Sequence, residues 1–301
     1  PPLSSSSSLS RGLRTPKQRA TAGWLAALPV FEPHWQVLMA KGKATGWIEW
    51  GGDEDGKNPP KRYEFEGAPA YAEKNWGGSF PSKWWWVQCD ALEVVAKGGG
   101  DGGGNGDSGP DGDGAGETAA VTAVGAIRSL PGASLLPWLA KEDVGMIGLH
   151  YGGKFHEFVP WRGAVSWEVA PWGRWRCRAA TATHEVELEA DCGGRGTPLR
   201  APTESRGLAV LCRDSFAGEL TVRLYEKGAA EGNGGAGGQA RRLVVELTSK
   251  RAAVETGGGP WGETWVASAA MKQPFRSLVK APVDPERLAG LLPARWRPRG
   301  L

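Results

Sequence analysis

The stretch His184-Glu-Val-Glu-Leu-Glu-Ala190 sets apolar and charged residues in strict alternation, with Val186 and Leu188 on one side and Glu185, Glu187 and Glu189 on the other. Successive side chains of a pleated strand point to opposite faces, so a period of two marks a half-buried β-strand. The same period recurs outward in both directions. It predicts strands over Trp35–Ala40, Thr45–Trp50, Lys61–Glu66, Lys83–Leu92, Ala119–Ala126, Val144–His150 and Lys154–Pro160. It continues over Ala164–Val169, Arg174–Thr181, Leu208–Cys212, Glu219–Glu226, Arg241–Thr248 and Ala252–Thr256. Tight turns such as Gly152-Gly153 and Lys41-Gly42-Lys43 separate them. The one clear helix start is Asp284-Pro285-Glu286, followed by Leu288, Leu291 and Leu292, which predicts a short C-terminal helix.

The chain has 301 residues, with 46 Gly and 22 Pro, a composition of short strands and many turns. An all-β, antiparallel fold follows, closed or nearly closed as a lipocalin-like barrel able to hold one elongated apolar ligand. Two segments, 98–116 and 228–240, are too rich in Gly to bury a core and read as flexible loops. Residues 1–22 hold five consecutive Ser and four basic residues without an acid, a disordered tail of transit-peptide composition, and the β domain runs over 23–301. The chain opens with Pro-Pro instead of Met, as a fragment would.

Charge excludes some partners. Thirty-six basic and 33 acidic residues leave a net charge of +3, too little to attract nucleic acid. No apolar run reaches the length of a membrane-spanning helix. The four cysteines lack a CxxC pair and fit free thiols in a reducing compartment. Gly257-Gly-Gly-Pro-Trp-Gly262 has the spacing of a dinucleotide loop, but no amphipathic helix follows it. His150 and His156 flank the Gly152-Gly153 turn without a carboxylate or third ligand, so no metal site is expected.

Trp is counted 16 times against 7 Phe and 4 Tyr. Its densest use is Tyr71 to Cys89, Y-A-E-K-N-W-G-G-S-F-P-S-K-W-W-W-V-Q-C, where Glu73, Lys74 and Asn75 stand among Trp76, Trp84, Trp85 and Trp86. Indole walls exclude water, and their π-faces favour a cation. A carboxyl entering such a site is held protonated by desolvation, which an adjacent Lys opposes. Trp47, Glu49 and Trp50 repeat the acid-among-indoles theme, and His34 beside Trp35 is a further candidate for the ligand site. The plainer alternative makes these carboxylates solvent-facing and the indoles core. Arg213-Asp214 reads as a structural ion pair.

The blocks PVFEPHWQ (29–36), TGWIEWGG (45–52), Y-x-EKNWGG with FP-x-KW-x-WVQC (71–89) and HYGGKFHEFVPW-x-G (150–163) resemble the tocopherol cyclase family, plastid enzymes of vitamin E synthesis. W-E-V-x-PWG-x-W (167–175), VELEA (186–190), GTPLRAPT (196–203), CRDS-x-x-GEL (212–220) and AAVE-x-GGGPW (252–261) continue the match in order. The two Gly-rich insertions depart from the family pattern, as does the lack of its N-terminal half. By this resemblance the chain holds a second barrel and part of a first. More remotely, E-K-N-W-G is similar to the D-H-N-W-G of lipocalin-like carotenoid hydratases, which also protonate an isolated alkene.

The resemblance implies cofactor-independent, acid-catalysed closure of a phytyl-benzoquinol to a chromanol, by a chloroplast protein peripherally associated with plastoglobules. In that chemistry Glu73 is the expected proton donor. Lys74 and Asn75 would orient the quinol oxygens, and Trp76 would face the cation. Trp35, Trp47, Trp84 and Trp86 are expected pocket walls, with Glu49 and His34 as reserve acids. Two alternatives belong to other classes: a noncatalytic prenylquinol carrier, and a Trp-rich β-sandwich that binds polysaccharide.

Overall fold

Strand β3, Lys83–Cys89, lies in the middle of a large antiparallel sheet, and its three consecutive indoles show how the sheet divides its two faces. The computed structural model describes residues 34–53, 57–76, 80–98, 119–129, 141–203, 207–228, 241–283, 290–291 and 293. Before β3 come β1 (His34–Trp50) and β2 (Lys61–Trp76). After it come β4 (Glu93–Lys97), β5 (Ala120–Ser129), β6 (Lys141–Tyr151), β7 (Lys154–Phe158), β8 (Ala164–Val169) and β9 (Arg174–Ala180). The chain continues through β10 (His184–Asp191), β11 (Thr197–Thr203), β12 (Gly207–Lys227), β13 (Arg241–Gly258), β14 (Trp265–Ala269) and the helix α1 (Phe275–Lys280).

β1 and β2 pair as a two-stranded ribbon. The other twelve strands form one sheet with the order β14-β8-β9-β10-β12-β13-β3-β5-β6-β7, β11 pairing with β12 and β4 with β13. The sheet curls until β14 and β8 pack back on β6. There the Met271 N–H, just past β14, donates to the Pro160 carbonyl, just past β7, at 3.0 Å. The all-β, antiparallel expectation holds, and the described pairings run as an open path from β14 to β7.

Residues paired across antiparallel strands share a face, so the register sorts the sheet into rows. One row, Val254, Val87, Ala123, Ile147 and Phe158, crosses five strands, and each member is at most 1% exposed. It belongs to the inner face. Trp85 lies there too, fully buried, in edge contact with Trp167 at 5.7 Å, which meets Trp265 at 5.2 Å. Trp85 fits because its neighbour is Gly125, where a Cβ would come within 2.2 Å of the indole nitrogen. Burying each such side chain contributes about 1.5–3 kcal/mol. The space inside the curl, expected to hold an elongated ligand, is therefore taken up by the core itself.

Trp84 and Trp86 point the other way. Their face carries the row Asp214, Glu255, Trp86, Val124 and Met146. The ribbon packs on this outer face. Its Trp35 lies against the cluster of Met146, Val159, Trp161 and Val279.

Several boundaries differ from the sequence reading. Lys41-Gly42-Lys43 is no turn: β1 runs through it with register shifts, as β12 runs through Gly218. Irregularities of this kind absorb a break in alternation without ending a strand. β11 was missed because Pro198 and Pro202 look like breakers, yet an edge strand tolerates them. The Gly152-Gly153 turn is present, both residues having positive φ (56° and 70°), as a two-residue hairpin requires. α1 begins after Pro274 without a side-chain cap and so left no start signal. The helix start at Asp284, the tail 1–22 and nearly all of both Gly-rich segments lie outside the described residues.

Candidate active site

Glu73 is the polar centre of the contact between ribbon and sheet. The register pairs Val37 with Glu73 and Trp35 with Asn75, so Trp35, Tyr71, Glu73 and Asn75 share one face of the ribbon. Three donors converge on the carboxylate. The Trp35 indole N–H reaches Oε2 at 2.7 Å, the Tyr71 hydroxyl reaches the same oxygen at 2.6 Å, and the Asn75 amide reaches Oε1 at 3.2 Å. Burial and the Glu73 charge push the Tyr71 phenol well above its usual range, so it stays a donor. The Tyr71 ring tilts against Trp86 at 5.9 Å and ties the ribbon to the sheet.

The other ribbon face holds a separate group. His34, buried, stacks on Trp76 at 5.0 Å, and the Lys74 ammonium lies 4.4 Å from the Trp76 ring centre. Residues 73–76 thus divide by parity: Glu73 and Asn75 meet, while Lys74, Trp76 and His34 stand on the reverse side. Trp47 and Glu49 are at the distant end of the ribbon, opposite Glu64 and Arg62. Twelve residues separate Glu49 from Val37, roughly 40 Å along a strand. Trp47 is 52% exposed there, stacked with the Arg62 guanidinium at 4.3 Å. Of the expected walls, Trp35 bonds Glu73, Trp86 meets Tyr71 and Trp84 reaches Glu255, whereas Trp47 is remote from all three.

A second acid completes the group. Glu255 of β13 stands opposite Trp86 on β3 and opposite Asp214 on β12. The Trp84 indole N–H donates to its Oε1. Gly257 permits this reach, because a Cβ there would sit 2.0 Å from the Trp84 ring. The unusual Gly-rich run after Glu255 therefore serves an indole instead of a phosphate. Burial pushes Glu255 up to about 7, with the charges of Asp214 and Glu73 acting in the same direction and the Trp84 bond opposing them. Asp214 is itself raised by burial. Its neighbour Arg213 faces the opposite side, over Trp172 at 4.6 Å, so the expected Arg213–Asp214 pair does not form. Among the described residues, the buried atoms Asp214 Oδ1, Trp86 Nε1 and Thr122 Oγ1 lack a hydrogen-bond partner.

Sequence reasoning missed Glu255 and Asp214. The signal for Glu255 is a lone carboxyl in the otherwise uncharged strand run Ala252–Thr256, and Asp214 carries none. His150 and His156 do not meet: His150 stacks on Phe155 at 4.5 Å and His156 contacts His184 at 5.0 Å. A cleft of about 810 Å³ opens elsewhere, lined by the charged Arg174, Arg176, Glu189 and Asp191 and by the apolar Trp175 and Leu220, and touches none of the Glu73 group.

A family model described as "Tocopherol cyclase-like" matches residues 8–99 and 112–258. The curated "Probable tocopherol cyclase, chloroplastic" of Oryza sativa subsp. japonica is 42% identical over 274 residues, covering 91% of this chain and 50% of that protein. "Tocopherol cyclase, chloroplastic" of Zea mays is 41% identical over 272 residues, 90% of this chain and 49% of that protein. The chain thus spans about half the length of the curated relatives it matches. No solved structure matches it.

Proposed function

The chain belongs to the tocopherol cyclase-like family, and from that premise we propose that it takes part in the acid-catalysed cyclisation of a phytyl-benzoquinol to a chromanol in the chloroplast. The observation that carries this reading is the Glu73 centre, a carboxylate held by Trp35, Tyr71 and Asn75 against a sheet face bearing two further carboxyls and two indoles. The reaction is an isomerisation. A proton adds to the trisubstituted prenyl alkene, the adjacent phenol oxygen closes on the tertiary cation, and the phenol proton leaves. No electrons are exchanged, so no redox cofactor is required.

Glu73 and Asn75 would orient the quinol hydroxyls, with Tyr71 keeping the carboxylate in place. Trp35, Trp84 and Trp86 would line the prenyl chain and face the cation. Lys74, Trp76 and His34 would hold the ribbon from behind, Trp76 by stacking. Much of the rate would come from folding the substrate so that oxygen and carbon meet. Peripheral association with plastoglobules would bring such a substrate within reach.

Incubating the protein with a phytyl-benzoquinol in deuterium oxide tests the reading. The expected product is a chromanol with one deuterium on the carbon next to the new C–O bond, and Glu73→Gln should slow its formation about 100-fold or more. Quenching of indole fluorescence by the quinol without any chromanol would instead favour a noncatalytic carrier. The half-length match to the curated relatives is what keeps that second reading in view.

A further inference from the structure

Proton addition and proton removal at one substrate call for two groups in opposite protonation states. The interface between ribbon and sheet holds two carboxyls whose surroundings differ in that sense. Both Glu73 oxygens already accept hydrogen bonds, Oε2 from Trp35 and Tyr71 and Oε1 from Asn75. Glu255 has one accepted bond, from Trp84 to Oε1, and its Oε2 makes none among the described residues. Asp214 stands directly across from it on the next strand. Two carboxylates at cross-strand separation, about 5 Å between Cβ atoms, disfavour each other's ionisation. The indoles of Trp84 and Trp86 lie on the same face.

We propose that Glu255 is the acid that protonates the prenyl alkene, and that Glu73 is the base that takes the phenol proton. This assignment rests on the cyclase reading above. In the step, the Glu255 O–H bond breaks as a C–H bond forms on the less substituted alkene carbon, leaving a Glu255 carboxylate and a tertiary cation. The phenol oxygen then forms the C–O bond while its O–H bond breaks toward Glu73. Exchange with solvent returns a proton to Glu255 and removes one from Glu73, so no net charge or proton is consumed. Burial of Glu255 fits the role, since it favours the protonated form near neutral pH.

The test joins a spectroscopic and a kinetic measurement on the same protein. Infrared spectra at pH 6 should show a protonated-carboxyl stretch in the wild type that is missing from Glu255→Gln and retained in Glu73→Gln. Chromanol formation should fall about 100- to 10,000-fold in Glu255→Gln, while quinol binding, followed by indole quenching, stays within a few-fold. A wild type without that infrared band overturns the assignment whatever the activity. Chromanol formed at undiminished rate by Glu255→Gln overturns the assignment and leaves the cyclase reading standing. A wild type that binds quinol and forms no chromanol overturns both. Should Glu255→Gln fail to fold, Trp84→Phe serves as the second variant: an unchanged pH profile of chromanol formation would overturn the role.

Discussion

Trp84 and Asp214 act on Glu255 in opposite senses. The indole N–H stabilises the carboxylate, whereas the facing aspartate destabilises it. Glu73 and Tyr71 from β2, Cys212 from β12, and the nonionisable Trp86, Val124 and Thr122 complete the surroundings. If Glu255 must be protonated to react, turnover falls as pH rises through about 7. Trp84→Phe should move that alkaline limb upward and Asp214→Asn should move it downward, each by about one pH unit. A kcat/KM profile checks both. The same residue leaves a mark on folding. Its carboxyl titrates near 4.5 when unfolded and near 7 when folded, so between those values the folded protein holds more protons. The stabilising contribution is complete below about pH 4.5 and is lost as pH rises through 7. Denaturant titrations of wild type and Glu255→Gln should therefore diverge over that window, by up to about 3 kcal/mol.

At the scale of elements, β3 shows what alternation reveals and what it conceals. Its seven residues read as a strand from sequence, and the structure puts the expected walls Trp84 and Trp86 on one face, as residues two apart must be. The partner strand was not legible. β13 contributes Glu255 from 171 residues beyond Trp84, and a single chain carries no signal for so distant a pairing. The continuity of β1, β12 and β13 is hidden for a local reason, since each passes through a register shift that looks like a turn and splits it in two. Two glycines test the division of faces. At Gly125 an added Cβ meets Trp85, locked in the core, whereas at Gly257 it meets Trp84 beside Glu255. Gly125→Ala should lower stability by about 1–3 kcal/mol or more, measured by thermal unfolding. Gly257→Ala should chiefly displace Trp84 and depress chromanol formation.

At the scale of the whole molecule, a curled sheet with a packed inner face bears a ribbon on its outside, and the Glu73 and Glu255 carboxyls lie where the two meet. Only the end of the ribbon that carries Trp35, Tyr71 and Glu73 contributes to that group. Its far end exposes Trp47, Ile48, Trp50 and Tyr63, at 52%, 54%, 77% and 44%. The double substitution of Trp47 and Trp50 by Ala should leave unfolding stability within about 0.5 kcal/mol, because neither supports the core. A larger loss would show that the far ribbon is part of the folding unit. On the proposed mechanism the outer face carries the chemistry while the inner face is packed core, so each central strand answers to two separate demands one residue apart. In a saturation library of β3, damage at 85 and 87 should appear as lost expression. At 84 and 86 it should appear as abundant, inert protein. The two phenotypes would alternate along the strand like the teeth of a comb, so a deep mutational scan would read out the pleat itself.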